Sequence, residues 1–346
     1  MNRERPTSGS VTLSDVAARA GVSLATASRA LNGSERVVRP ELRERVRAAA
    51  ERLGYTANQQ AQAVARGATR TVGVVLGDIA DPYFAAVAAG ITEAAGERQL
   101  VVTMASVGVE VDRVVDSLSV LRGGRPRAVL MTVSRHTDPA ADGRMATELD
   151  RVRAYGGGVA FLGDAPDGFV GVPVAHRANA GALAEQLLGL GYRDTAVLAG
   201  PAELLTAAER AIGFLTGMEK AGCPVPPARQ LAGALSRDGG FDAMTRLLAS
   251  GTRPELVFAV TDVMAVGAMA AIRSAGLEPG RDIAVAGYDD IEMLQDVTPG
   301  LTTVSLPLRD IGRRLLDVAL DDDTGGATEP VRGTVVLRDS TPRRRA

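Results

Sequence analysis

One cysteine, Cys223, stands in a chain of 346 residues. That excludes an internal disulfide and every metal site built from several cysteines. Tryptophan is missing and aromatics make up only 3% of the chain, which removes the strongest stacking platform for the face of a pyranose. The two histidines, His136 and His176, read as ordinary surface residues. No G-x-S-x-G elbow, P-loop or G-x-G-x-x-G turn accompanies them, so little is left from which to build an enzyme. Long apolar runs are absent too; the best stretch, Leu256 to Ile272, is broken by Asp262, too early to span a bilayer. No signal peptide is recognisable at the start, and the expected compartment is the cytoplasm. Neither a metal nor a cofactor is expected.

What is present begins with an uneven charge. Residues 1–70 carry 12 Arg against 6 acidic residues, a net +6, and the remainder carries 27 basic and 35 acidic residues, a net −8. A basic head on an acidic body suggests a polyanion partner for the head alone. Within that head, VTLSDVAARAGVSLATASR (Val11 to Arg29) reads as two short helices and a tight turn. Thr12 is placed to cap the first, with Asp15 where a capping box has Glu or Gln. Val16, Ala17 and Ala20 make its apolar face, and Gly21 supplies the left-handed turn. Ser23 is a natural cap for the second helix, which buries Ala27, Ala30 and Leu31 and shows Ala25, Thr26, Ser28 and Arg29. Such a pair offers the first turns of its second helix to base edges in the major groove; a plain Ala-rich helical hairpin is the alternative. A third helix is expected from Pro40 to Leu53, with Leu42, Val46, Ala49 and Leu53 as its stripe and Gly54 as its stop.

Asn58 to Arg66, NQQAQAVAR, spaces Ala61 and Val64 by three but is too short for a stable isolated helix. It reads either as a linker or as a segment that becomes helical when two copies meet on DNA. From Thr71 onward, apolar runs of strand length (TVGVVLG, QLVVTMA, RAVLMTV, GGVAFLG, VGVPV, TAVLAG, ELVFAV, DIAVAGY) alternate with helical stretches. That pattern indicates parallel sheets covered on both faces. The expected fold class is therefore an all-α three-helix head followed by an α/β core of two lobes. The expected domains are residues 1–57 for the head, 58–70 for the linker and 71–341 for the core, with 342–346 as a basic tail. One lobe is expected to hold 71–162 and 292–322, the other 163–291 and 323–341.

In open parallel sheets ligands bind beyond the carboxyl ends of the strands. Several strands end there in an acid: Asp78, Asp164, Asp262 and Asp289. Arg210 lies in the helix after TAVLAG, and Tyr83 and Phe84 begin the helix after the first strand. Two facing lobes would bring these groups to one cleft. Carboxylates accept from adjacent hydroxyls and Arg adds rigid donors, which suits a polyol or sugar. Each also has a structural reading: Asp78 and Asp262 as helix caps, Tyr83 and Phe84 as core, Arg210 as a partner of Glu209 or Glu203.

TLSDVAARAGVSLATASRALNG, ERLGYTANQQA, TVGVVLGDIADPYF, AERAIGF, TDVMAVGAM and AVAGYDD followed by PGLTTV resemble the LacI family of bacterial transcription regulators, nearly from Val11 to Thr341. The resemblance implies a helix-turn-helix head, a hinge helix and a core like periplasmic sugar-binding proteins. It implies a homodimer (or tetramer) on double-stranded operator DNA, with a small-molecule effector in the cleft. It places Leu24, Ala25 and Arg29 at base-contacting positions and Thr12, Ser23, Thr26, Ser28 and Asn32 at phosphate-contacting ones. In the hinge, Asn58, Ala61 and Val64 are expected at the DNA. Val64 stands where relatives insert Leu into the minor groove, which implies a shallower wedge. The effector site departs as well. Thr261-Asp262 replaces the frequent Asn-Asp, and Arg177-Ala178 stands where Asp-Asn is usual, whereas Arg210 and Asp289 are kept. A sugar or sugar derivative is favoured, and a purine is the alternative, because Tyr83 and Phe84 match positions that stack a nucleobase in a purine-binding relative. A solute-binding protein without DNA function is the rival of another class. Arg29 is expected to read a guanine through O6 and N7, so Arg29→Ala should cost about 1–3 kcal/mol of discrimination at one base pair. A binding-site selection reads this directly, and unchanged base preference would refute it.

Overall fold

The structure, a computed structural model, describes residues 11–32, 38–55, 69–137, 139–321 and 329–344. The chain forms two compact units, residues 1–66 and 67–346. The hinge positions Asn58, Ala61 and Val64, and the side chain of Asn32, lie outside the described residues.

The first unit holds α1 (Leu13–Ala20), α2 (Leu24–Asn32) and α3 (Pro40–Leu53). Asp serves the capping box as well as Glu would: Thr12 Oγ1 accepts from the Asp15 amide at 3.3 Å, and Asp15 Oδ2 accepts from the Thr12 amide at 2.9 Å. Gly21 takes φ +63°, and a Cβ there would lie 3.0 Å from Arg45 Nη2. Arg45 donates at 2.6 Å to the Ala20 carbonyl, an acceptor that the end of α1 leaves unpaired. Ser23 caps α2 by accepting from the Thr26 amide at 3.1 Å. Val16, Ala17, Ala20, Ala27, Ala30, Val46 and Ala49 form the small core.

The second unit contains two parallel sheets. The first runs in the order β2-β1-β3-β4-β5, from β1 (Thr71–Leu76), β2 (Val101–Ser106), β3 (Ala128–Met131), β4 (Gly158–Leu162) and β5 (Val170–Val172). Its helices are α4 (Pro82–Glu97), α5 (Val111–Gly123) and α6 (Pro139–Arg153). The second runs β7-β6-β8-β9, from β6 (Thr195–Ala199), β7 (Gln230–Ala232), β8 (Leu256–Ala259) and β9 (Ala284–Ala286). Around it lie α7 (His176–Gly189), α8 (Leu205–Lys220), α9 (Arg237–Ala249) and α10 (Asp262–Ser274). An antiparallel pair, β10 (Thr303–Ser305) and β11 (Thr334–Val336), extends it through bridges Ala286–Thr302 and Asp289–Ser305. The last helix, α11 (Leu308–Leu320), returns to the first lobe and packs along α4.

Two expected boundaries move. VGVPV, expected in the second lobe from residue 163, holds β5, which pairs with β4 in the first sheet, so the chain leaves that lobe only after Val172. Residues 292–305, expected in the first lobe, keep β10 beside β9, and the return comes after Ser305. Both errors have one cause: a three-residue strand carries no periodicity that names its sheet, and pairing decides it. Two of the crossing segments bind each other, the Val331 amide donating to the Pro173 carbonyl at 2.8 Å and the Ala175 amide to the Val331 carbonyl at 2.9 Å.

In each sheet the order reverses between two central strands, β1 and β3 in one lobe and β6 and β8 in the other. Such a switch point opens a crevice beyond the strands' carboxyl ends, and here the two crevices face each other.

Glycines let α4 and α11 touch backbone to backbone. A Cβ on Gly90 would lie 2.0 Å from the Arg309 carbonyl oxygen, and one on Gly312 would lie 2.1 Å from that of Val87. Gly90→Ala should therefore destabilise the core by about 1–3 kcal/mol through overpacking. Urea denaturation checks this, and an unshifted midpoint would show that the helices part freely.

Candidate functional site

Small residues on the inner side of α2 let it sit close to α1 and α3, which leaves its outer side open. Leu24 is 54% exposed, Ala25 and Arg29 are exposed, and Thr26 and Ser28 are half-buried. Leu24 in its first turn and Arg29 further along the same helix are thus both left in water. The head thus presents Ser23, Leu24, Ala25, Thr26, Ser28 and Arg29 from one end of one helix.

The second candidate is the cleft between the lobes, a cavity of about 130 Å³. Asp78, Asp81, Tyr83 and Phe84 reach it after β1, and Thr132, Ser134 and His136 after β3. Opposite them stand His176, Thr206, Arg210, Thr261 and Asp289. Its centre is an ion pair, both side chains 3% exposed. Arg210 Nη2 donates to Asp289 Oδ1 at 2.8 Å and Nη1 to Oδ2 at 3.1 Å. Nη1 also donates to the Val260 carbonyl at 2.9 Å, and Nε to His176 Nδ1 at 3.4 Å. The guanidinium lies 4.1 Å over the Tyr288 ring. Burial opposes its charge, but Asp289 and the two tyrosines beside it hold its pKa above the ordinary value. Burial pushes the Asp289 carboxyl well up, against the pull of Arg210. Asp289 also has φ +122°, a region L-residues avoid. It is held there by its amide donating to Val304 at 2.9 Å and its carbonyl accepting from the Leu306 amide at 3.3 Å.

The expected residues divide. Asp78, Tyr83, Phe84, Arg210, Thr261 and Asp289 all line the cleft. Asp78 also accepts from the Ala80 amide at 2.9 Å, and Thr261 is the N-cap of α10. Asp262 does not line the cleft: it is buried behind it, accepting from Thr303 Oγ1 at 2.7 Å and from the Ile291 amide at 3.1 Å. Burial pushes its carboxyl up to about 6. Its work is to tie down the loop that carries Asp289. Asp164 is exposed and borders a smaller recess, its carbonyl accepting from Arg135 Nη1 at 3.4 Å. Arg177 is spent on Glu209 and, with Ala178, lines an outer groove.

Three residues escaped the sequence reading. His176 is buried, not an ordinary surface residue, and lines the cleft; His136 is half-buried and borders it too. Asp81 caps α4 by accepting from the Tyr83 amide at 2.9 Å, and burial raises its pKa. The D-P step at Asp81-Pro82 is a helix-start signal that marks this cap. Nothing local marks His176.

The lobes also touch at the cleft's edge. The Thr137 amide donates to the Glu203 carbonyl at 2.8 Å and the Leu205 amide to the Arg135 carbonyl at 2.9 Å. Ser134 Oγ accepts from the Thr206 amide at 3.2 Å and donates to Thr206 Oγ1 at 3.1 Å. Among the described residues no group of three or more His, Cys, Asp or Glu is placed to hold a metal, and no helix is long and apolar enough to cross a membrane.

Against known proteins, residues 12–58 match the model of bacterial regulatory proteins of the lacI family. Residues 184–341 match a periplasmic binding protein-like domain. The HTH-type transcriptional regulator CelR of Thermobifida fusca is 32% identical over 95% of both chains. The chain belongs to the lacI family. A solved lac repressor dimer bound to operator and the anti-inducer ONPF superposes with a TM-score of 0.81 at 27% identity, covering 96% of this chain and all of that one. A CelR–cellobiose complex superposes at 0.67 with 29% identity, covering 95% and 99%. As in its relatives, which are regulators and not enzymes, a small helical head here precedes an α/β core.

Burial and then Arg210 push the pKa of His176 well below its ordinary value. The unfolded chain therefore binds a proton below about pH 6.5 that the folded chain refuses, and stability falls as pH drops through that window. His176→Gln should flatten this loss. Urea midpoints at pH 7.5 and 5.5 for both proteins test it, the opposite slopes from Asp81, Asp262 and Asp289, all raised by burial, being common to both proteins. Equal slopes would refute it.

Proposed function

We propose that this protein is a transcriptional repressor that binds a near-palindromic operator as a homodimer and changes its grip when a small molecule fills the cleft. The observation that carries the DNA half is α2, with Leu24, Ala25 and Arg29 held out in water on a basic three-helix unit. Leu24, Ala25 and Arg29 read bases; Thr12, Ser23, Thr26, Ser28 and Asn32 hold phosphate; Asn58, Ala61 and Val64 complete the contact from the hinge. Such a regulator works in the bacterial cytoplasm, where the chromosome is. For the dimer, β2 is an edge strand with Val101 58% and Met104 40% exposed. Edge strands with bare apolar residues pair with another copy or aggregate, and a two-fold contact pairs the same patch on both copies.

For the effector half, Arg210 and Asp289 form the floor of the cleft and Asp78, Tyr83, Phe84 and Thr261 its walls. Alternating donors and acceptors at fixed positions suit a sugar or sugar derivative. The CelR–cellobiose complex supports that class. The edge-to-face pair of Tyr83 and Phe84, ring centres 5.1 Å apart, favours a purine as the second reading. Asp164 contributes from the neighbouring recess, and Asp262 acts through the loop it fastens. The effector shifts operator affinity only by the difference in its affinity for the two core states.

Selection of the full chain against random duplexes should return a near-palindrome, and binding should fall steeply with salt. Val101→Glu should shift the protein toward monomer by light scattering and weaken operator binding with it. Failure to hold any duplex at low ionic strength would end the reading.

A further inference from the structure

We propose that His176 is a preset hydrogen-bond donor to the effector, offering Nε2–H to an oxygen of an uncharged polyol. This deepens the reading of the cleft above and rests on it.

A chain of donors leads from Gly333 to His176. The Gly333 amide donates to Asn179 Oδ1 at 3.0 Å, which fixes the amide orientation and leaves Asn179 Nδ2 to donate to Tyr288 Oη at 3.2 Å. Tyr288, its pKa pushed up to about 12 by burial, keeps its proton. With its oxygen already accepting from Asn179, the hydroxyl turns that proton to His176 Nδ1, 3.2 Å away. Arg210 Nε–H reaches the same nitrogen at 3.4 Å, and an arginine has no acceptor to offer. Two donors on Nδ1 leave it bare, so the proton of the neutral ring must sit on Nε2. His176 is 8% exposed and lines the cleft, and both of its ring hydrogen bonds, to Tyr288 and Arg210, are made at Nδ1. A donor held in one tautomer by two buried partners is already oriented for its acceptor.

The surroundings decide the charge of that acceptor's owner. Asp78, Asp81 and Asp289 face the cleft against one guanidinium, that of Arg210, which is itself committed to Asp289. Tyr83, His136 and Tyr288 are the other titratable groups nearby, with Arg135, Asp164 and Glu209 around the adjoining recess. Carboxylates outnumber the guanidinium, and the imidazole adds no positive charge. A phosphate ester or free acid would enter against the field; a neutral hydroxylated ring would not.

The chain has only two histidines, so a nitrogen-15 histidine spectrum of the ligand-free full chain shows two imidazoles, assigned with His136→Gln. The His176 signal should be that of neutral Nε2–H from pH 7.5 down to 5.5. An Nδ1–H signal, or titration near the ordinary histidine pKa, overturns the donor assignment. Thermal shift with D-glucose, cellobiose, lactose, glucose 6-phosphate and adenine then tests the class. At least one uncharged sugar should raise the melting temperature more than the phosphate ester does, and His176→Phe should weaken it by about tenfold. A stronger response to glucose 6-phosphate or adenine, or none to any sugar, overturns the polyol assignment. None of these measurements uses DNA. Failure to bind an operator would therefore count against the regulator alone, and a wrong tautomer in an operator-binding protein against this inference alone.

Discussion

Two opposite charges buried out of water, Arg210 and Asp289, set the terms for everything around them. Desolvating both is costly, and the cost is met only by paired geometry with further hydrogen bonds. The structure meets it from several directions. Val260 and His176 take other guanidinium hydrogens, and Tyr288 lies against its face. Asp289 accepts a strained backbone because Val304 in β10 and Leu306 just after it grip it on both sides. Asp262, buried one layer further back, clamps the same loop through Ile291 and Thr303. Removing either member of the pair would strand a buried charge, a loss of about 3–5 kcal/mol. The floor of the cleft is accordingly rigid before anything enters it.

Rigidity on one side gives a ligand something to pull against. The lobes are joined by crossing segments that bind each other at Val174 and Val331, and they meet again at the cleft's edge through residues 134–137 and 203–206. Hinge and edge lie at different margins of the same cavity. Asp81 and Thr132 on one wall face His176 and Arg210 on the other, so a single molecule in the cavity can touch both lobes. The polar chain from Gly333 through Asn179 and Tyr288 to His176 runs from the strand that re-enters the second lobe to the cleft. Occupancy of the cleft and the setting of that crossing are thus mechanically adjacent.

The head follows a different economy. Its core is built from alanines and valines, so three short helices approach closely with little apolar surface to bury, and the unit relies on end chemistry to compensate. The Thr12–Asp15 box, the Ser23 cap and the Arg45 bond to Ala20 each satisfy groups that helix ends leave bare. What that arrangement leaves exposed, Leu24 and Arg29 above all, is free for a partner.

Much of this was legible from local pattern. The caps at Thr12 and Ser23, the stop at Gly21, the limits of α3 and the span Pro82–Glu97 depend on neighbours within one or two helical turns, and short-range chemistry is written in order along the chain. Asp289 was legible as an acid at a strand end and Arg210 as a cation on the helix that follows one, a place where parallel sheets collect their functional groups. The lobe of VGVPV, the lobe of residues 292–305, the burial of Asp262 and the turn of His176 into the cleft were not. Each depends on a partner far away in the chain: β4 for β5, β9 for β10, Thr303 for Asp262, Tyr288 and Arg210 for His176. Composition and periodicity carry what a residue is and which way its element faces. Which distant group it meets, and hence whether a histidine is a solvated bystander or a donor locked in one tautomer, exists only once the sheets have paired and the lobes have closed over it.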